Sequence, residues 1–141
     1  MPLITVTYSS PHQRAASKAA IAAEINRLST TILGKDSRTT AVIVQAVAPE
    51  DWFCGGRSLE EAGLASVWVD IHVTDGTNTK DEKAKFIAAT YEAFGKLLGP
   101  LHEESYIHVD EVRDDAYGYG GLTQGRRYIA GKLANPVLSA A

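Results

Sequence analysis

The chain repeats itself, without a gap, at an offset of 65 residues. Gly34 falls on Gly99, and Gly55-Gly56 falls on Gly120-Gly121 at the same spacing. Lys18 meets Lys83, Leu33 meets Leu98, Val47 meets Val112 and the aromatic Trp52 meets Tyr117. Carried back, the offset lays "ITVTY" over "VDIHV", with Ile4, Val6 and Tyr8 on Val69, Ile71 and Val73. A chain built this way is confined to two copies of one supersecondary unit that share a core.

Each copy reads as strand, helix, strand and tight turn. In the second copy Val69, Ile71 and Val73 face one side of a strand, and Trp68, Asp70 and His72 the other. Helical spacing follows: Ile21, Ile25, Leu28 and Ile32 in the first copy, Ile87, Tyr91, Phe94 and Leu98 in the second. Ser10-Pro11 suits the N-cap and first turn of the first helix, and Thr79 with Glu82 suits a capping box on the second. Gly34 and Gly99 stand where C-caps belong. A second strand follows in each copy, "TAVIVQAV" or "SYIHVDEV". Each copy then closes on an aromatic residue and Gly-Gly, the signature of a short hairpin.

A helix between two strands makes them parallel with a right-handed crossover. The expected fold is therefore α+β: two tandem β-α-β units forming a four-stranded sheet with both helices on one face. The units span about 2–56 and 67–121, joined by a linker at 57–66, within one domain covering 1–141. The uncovered face carries Leu3, Ile43 and Trp68, so self-association is expected.

Composition narrows the function. A net charge of −3 gives no electrostatic footprint for nucleic acid, and no apolar run is long enough for a bilayer-spanning helix. Neither a nucleic-acid nor a membrane partner is expected. Cys54 is the single cysteine, so no internal disulfide forms, and the expectation is a reduced, cytoplasmic chain. One cysteine and four histidines offer no local metal-ligand spacing, and no metal or cofactor is expected.

A proline directly behind Met1, two β-α-β units and the "YGYGG" turn together resemble the tautomerase superfamily, and most of all 4-oxalocrotonate tautomerase. Residues 69–121 resemble nearly a whole short subunit of that family, and the first copy resembles another more loosely. The chain thus looks like a fused, long-subunit member over roughly residues 2–130. The resemblance implies that Pro2, exposed by removal of Met1, is the catalytic acid–base. It also implies a homotrimer of fused pairs acting on a small molecule without a cofactor. A terminal amine titrates near 7.7–8.0 and burial lowers that value, which leaves a neutral base at working pH. The matching position in the second copy is Val67, which has no titratable group.

The family's two arginines, which hold the substrate's carboxylate and carbonyl, fall here on His12 and Thr77 and on Ala41 and Tyr106. His12 and Tyr106 are candidate replacements as hydrogen-bond donors. Arg113 is the first candidate for a cationic anchor and Arg127 the second, with Arg57 and Arg126 behind them. Tyr117 matches the family's pocket aromatic and is expected beside Pro2, with His12 nearby. His72 and His108 are expected on the surface or inside the trimer. The leading expectation is a tautomerase for small 2-oxo or 2-hydroxy-dienoic acids. The alternatives are a dehalogenase- or hydratase-like activity on unsaturated acids, and a catalytically silent trimeric binding protein.

Overall fold

The computed structural model describes residues 2–134; Met1, the C-terminal segment 135–141 and the expectations that fall on them lie outside it. The elements run β1 (Leu3–Ser9), α1 (Lys18–Leu33), β2 (Ala41–Ala46), β3 (Phe53–Cys54), β4 (Arg57–Ser58), α2 (Leu59–Ala62), β5 (Ser66–Thr74), α3 (Lys80–Leu98), β6 (Tyr106–Val112), β7 (Gly118–Tyr119), β8 (Leu122–Thr123) and α4 (Gln124–Ala134). One mixed sheet has the order β2-β1-β5-β6. β1 and β2 are parallel, as are β5 and β6, and the two units meet through the antiparallel pair β1–β5. This is the α+β arrangement expected from the repeat.

The repeat is visible in the register. Leu3 pairs with Ala41 in the first unit, and their counterparts Trp68 and Tyr106 pair in the second. At the seam Thr5 pairs with Asp70, its own counterpart. A local twofold therefore passes through that pair, and the start of β1 lies beside the end of β5.

Alternation along the strands sorts the two faces. Ile4, Val6, Val67, Val69, Ile71 and Val73 are buried toward the helices, while Leu3 (41% exposed), Ile43 (47%) and Trp68 (50%) stand on the open face. Both helices cover one side and close the core with Ile21, Ile25, Leu28, Phe86, Phe94 and Leu98. Two helix readings need correction. α3 turns Phe86 and Thr90 inward, and Ile87 is 41% exposed. Phe86 and Thr90 are the counterparts of Ile21 and Ile25, so the offset of 65 fixes the inward face better than the apolar pattern does. α1 begins at Lys18, where the Ser17 hydroxyl accepts from the Ala20 N–H at 3.2 Å. Ser10 instead ties the preceding loop to α3: its hydroxyl donates to the Leu98 carbonyl at 2.8 Å and accepts from the His12 N–H at 3.1 Å.

The expected caps and turns form elsewhere. Gly34 ends α1 in the left-handed conformation, and the Thr79–Glu82 capping box starts α3. Gly55-Gly56 and Gly120-Gly121 join β3 to β4 and β7 to β8 with φ of 59°, 79°, 60° and 81°. Positive φ at both central residues is the two-residue hairpin geometry whose twist matches the strands.

Candidate active site

Pro2 sits just ahead of β1 and is buried. Its carbonyl accepts from the Ala41 N–H at 3.1 Å, which fixes it at the head of the β1–β2 pair. It forms part of the wall of a cavity of about 390 Å³, with Leu3, Thr39, Ala41, His72, Tyr117 and Tyr119 among its neighbours there.

The second unit supplies three of those side chains. Tyr117 precedes the β7–β8 hairpin, and its hydroxyl lies 2.8 Å from that of Thr74 at the end of β5. Burial pushes the Tyr117 phenol up, against a smaller lowering by the Thr74 bond, so it is a neutral group at physiological pH. When Thr74 donates in that pair, the Tyr117 O–H is left to donate to another group. His72 reaches the cavity because β5 runs antiparallel to β1 and sets His72 opposite Leu3. Its Nε2 is 3.1 Å from Asp70 Oδ2, and its Nδ1 is 3.6 Å from Asp110 Oδ2.

Arg127 borders the same region from α4. Thr39 and Tyr119 are shared with a wider groove of about 820 Å³ that Arg127 also lines. The guanidinium carbon is 3.8 Å from the centre of the Tyr119 ring, and Nη2 donates to the Tyr119 carbonyl at 2.9 Å. Its Nε is buried and has no hydrogen-bond partner among the described residues. The groove is otherwise acidic, with Asp36, Asp75 and Asp114 on its walls.

The other predicted residues are elsewhere in the chain. Arg113 pairs with Asp115 at 3.1 Å, largely in solvent. Arg57 donates to the Glu61 carbonyl at 3.1 Å, beside β4. Tyr106 opens β6 opposite Trp68, at the Val67 end of the sheet, and its hydroxyl donates to Glu104 Oε1 at 3.2 Å. His12 lies beyond the far end of β1, so about 20 Å of strand at roughly 3.3 Å per residue separates it from Pro2. Its ring packs on Gly99, where an added Cβ would come within 2.5 Å of His12 Cδ2. Within one chain, then, His12 is not near Pro2. Pro2 and Tyr117 are brought together, Arg127 stands one wall away, and His72, expected only on the surface or inside the trimer, joins them with Thr39 and Tyr119. The signal for His72 was the strand pairing: once β1 and β5 are antiparallel neighbours, the residue opposite Leu3 must lie beside Pro2.

Residues 2–62 match the model of the tautomerase family, described as tautomerase enzyme. With the repeat and the fold, this match to the first unit is consistent with a fused protein of the tautomerase superfamily. Similar solved structures include a fused 4-OT described as a wild-type symmetric trimer, at 22% identity and a TM-score of 0.73 over 87% of this chain and 96% of that one. A member of the cis-3-chloroacrylic acid dehalogenase family is 19% identical, with a TM-score of 0.68 over 97% and 99%. A macrophage migration inhibitory factor homologue from Prochlorococcus marinus is also 19% identical, at 0.70 over 87% and 99%. At these identities the likeness concerns the fold alone. No curated protein matches the chain by sequence. Among the described residues no helix is long and apolar enough to cross a membrane.

Proposed function

We propose that the chain is a cofactor-independent tautomerase in which Pro2, freed by removal of Met1, moves a proton within a small 2-oxo or 2-hydroxy-dienoic acid. The observation that carries this reading is the burial of Pro2 in the wall of a small cavity beside a neutral phenol. A secondary amine there loses water around its cation, which favours the neutral base. The Pro2 nitrogen takes a proton from one atom of the enol–enone system and returns it to another. The Tyr117 hydroxyl donates to the oxygen on which charge develops. Arg127 is the anchor for a carboxylate, because its fork fits two carboxylate oxygens and its Nε lacks a partner. The working assembly is a homotrimer in which the open sheet faces meet, and its compartment is the cytoplasm.

The test joins intact mass to turnover. The mature chain is expected to lack Met1 and to ketonise phenylenolpyruvate. Pro2→Ala should remove most of kcat, and kcat/KM should fall as pH drops through the amine pKa, below about 7.7–8.0. Full activity in a chain that retains Met1 overturns the reading, since its Pro2 nitrogen is an amide.

His72 favours a second reading. A histidine held by Asp70 at the cavity edge has the arrangement of a water-activating base. With Pro2 as the acid, the reaction would be hydration of an unsaturated acid. Product analysis separates the two: hydration adds the mass of water, whereas tautomerisation leaves the mass unchanged.

A further inference from the structure

The opposite end of the sheet follows the same plan with different chemistry. Val67 stands for Pro2, Glu104 for Thr39, Tyr106 for Ala41, Trp52 for Tyr117 and Cys54 for Tyr119. The segment ahead of β6 is pinned there by its backbone. The His102 N–H donates to the Ala65 carbonyl at 2.7 Å, the Ser66 hydroxyl donates to the Glu104 carbonyl at 3.0 Å, and the Val67 N–H donates to the Ser105 hydroxyl at 3.4 Å. Cys54, half-buried on the facing hairpin, points its sulfur at the Glu104 carbonyl, 4.0 Å away. A thiol, an imidazole nitrogen and a carboxylate oxygen, from Cys54, His102 and Glu104, thereby come within 4.8 Å of one another.

We propose that Cys54, His102 and Glu104 form a binding site for a thiophilic divalent cation of the zinc class. Sulfur, imidazole and carboxylate are the donors that zinc takes, and three of them leave a fourth position for water or a small ligand. The two ligands in the pinned segment are already ordered. The Tyr106 hydroxyl donates to Glu104 Oε1 at 3.2 Å, an outer contact that fixes the ligand's rotamer. His102 Nδ1 accepts from the Glu104 N–H at 3.0 Å, which leaves the neutral ring's proton on Nε2, and an ion on Nδ1 takes the place of that bond. Glu104 is exposed and His102 half-buried, so both side chains have room to close the last part of the distance onto an ion. Binding exchanges the Cys54 S–H bond for a metal–sulfur bond and gives the proton to solvent, so uptake must strengthen with pH. The site owes nothing to Pro2 and stands whether or not the chain is a tautomerase.

Titration of the reduced full-length protein with Co²⁺ tests it. One ion per chain is expected, with a thiolate-to-cobalt charge-transfer band that Zn²⁺ abolishes. Cys54→Ser should lose the band, while His102→Gln and Glu104→Gln should each weaken binding about tenfold or more. Circular dichroism checks that each variant is folded, and the His102 and Glu104 variants carry the test if the serine variant is not. No thiolate band in the wild-type chain overturns the proposal, and so does wild-type affinity in any folded ligand variant.

Discussion

The hydroxyls of Tyr117 and Thr74 lie 2.8 Å apart, joining the second hairpin to the end of β5. The corresponding pair in the first unit is Trp52 and Ser9, and there the Ser9 hydroxyl is buried without a partner among the described residues. Tyr117→Phe should therefore cost about 1 kcal/mol of stability, and Thr74→Val a similar amount. In a double-mutant cycle followed by chemical denaturation the two losses should not add. If Tyr117 also donates to the developing oxyanion, Tyr117→Phe alone should lower kcat by more than the folded fraction accounts for.

Gly55 and Gly120 have almost the same φ, 59° and 60°, but different surroundings. A Cβ at Gly55 meets nothing within 4 Å, whereas one at Gly120 would lie 2.7 Å from Arg127 Nη2. Gly55→Ala should cost about 1–2 kcal/mol of backbone strain alone. Gly120→Ala should cost at least as much and also displace the guanidinium. Steady-state kinetics on an acidic substrate should then show a raised KM for Gly120→Ala and for Arg127→Ala, with kcat nearly unchanged if that binding is uniform. Gly55→Ala should leave KM alone.

The start of α3 gives a pH-dependent prediction. The Thr79 hydroxyl accepts from the Glu82 N–H at 3.1 Å, and Glu82 Oε1 accepts from the Thr79 N–H at 2.8 Å. That backbone bond, aided by the Thr79 side chain, holds the Glu82 carboxyl below its usual value of 4.5. A depressed folded pKa means that the contribution is complete above the unfolded pKa and is lost as pH falls through the folded one. Glu82→Gln should thus lower the melting temperature at pH 7 and make progressively less difference as pH falls through the folded value. Thr79→Ala should cost about 1 kcal/mol at either pH, from loss of the cap.

The open face of the sheet predicts the assembly state. Leu3, Ile43 and Trp68 expose apolar surface in a single chain. Light scattering should give a trimer for the wild-type protein. A carboxylate introduced there, Ile43→Asp or Trp68→Asp, should shift the mass toward the monomer without loss of secondary structure.

The parts of the fold legible in the sequence were those set by local chemistry or by the repeat. Gly-Gly turns need positive φ at two successive positions, and the Thr79–Glu82 pair is recognisable within a single turn. The side chains of β5 alternate as the pattern required. The first helix was misplaced because Ser10-Pro11 has the composition of a cap, yet the Ser10 hydroxyl is taken up by the Leu98 carbonyl, 88 positions away. Composition carries no trace of such a partner. The apolar spacing points to Ile87, whereas tertiary packing against the sheet turns its neighbour Phe86 inward. The candidate site divides in the same way. Pro2 and Tyr117 were legible through the resemblance and the offset, whereas His72 and the Cys54–His102–Glu104 cluster depend on pairings between strands distant in sequence.

The local twofold through Thr5 and Asp70 has an evolutionary corollary. In an assembly of identical short subunits, any substitution appears at every site at once, so a change that harms catalysis is never offset by an untouched copy. A fused chain breaks that rule. One end of the sheet can hold its proline while the other carries Val67 in its place. Cys54, His102 and Glu104 fall on Tyr119, Ser37 and Thr39 by the offset, so one end holds side chains that identical subunits would have to repeat around Pro2.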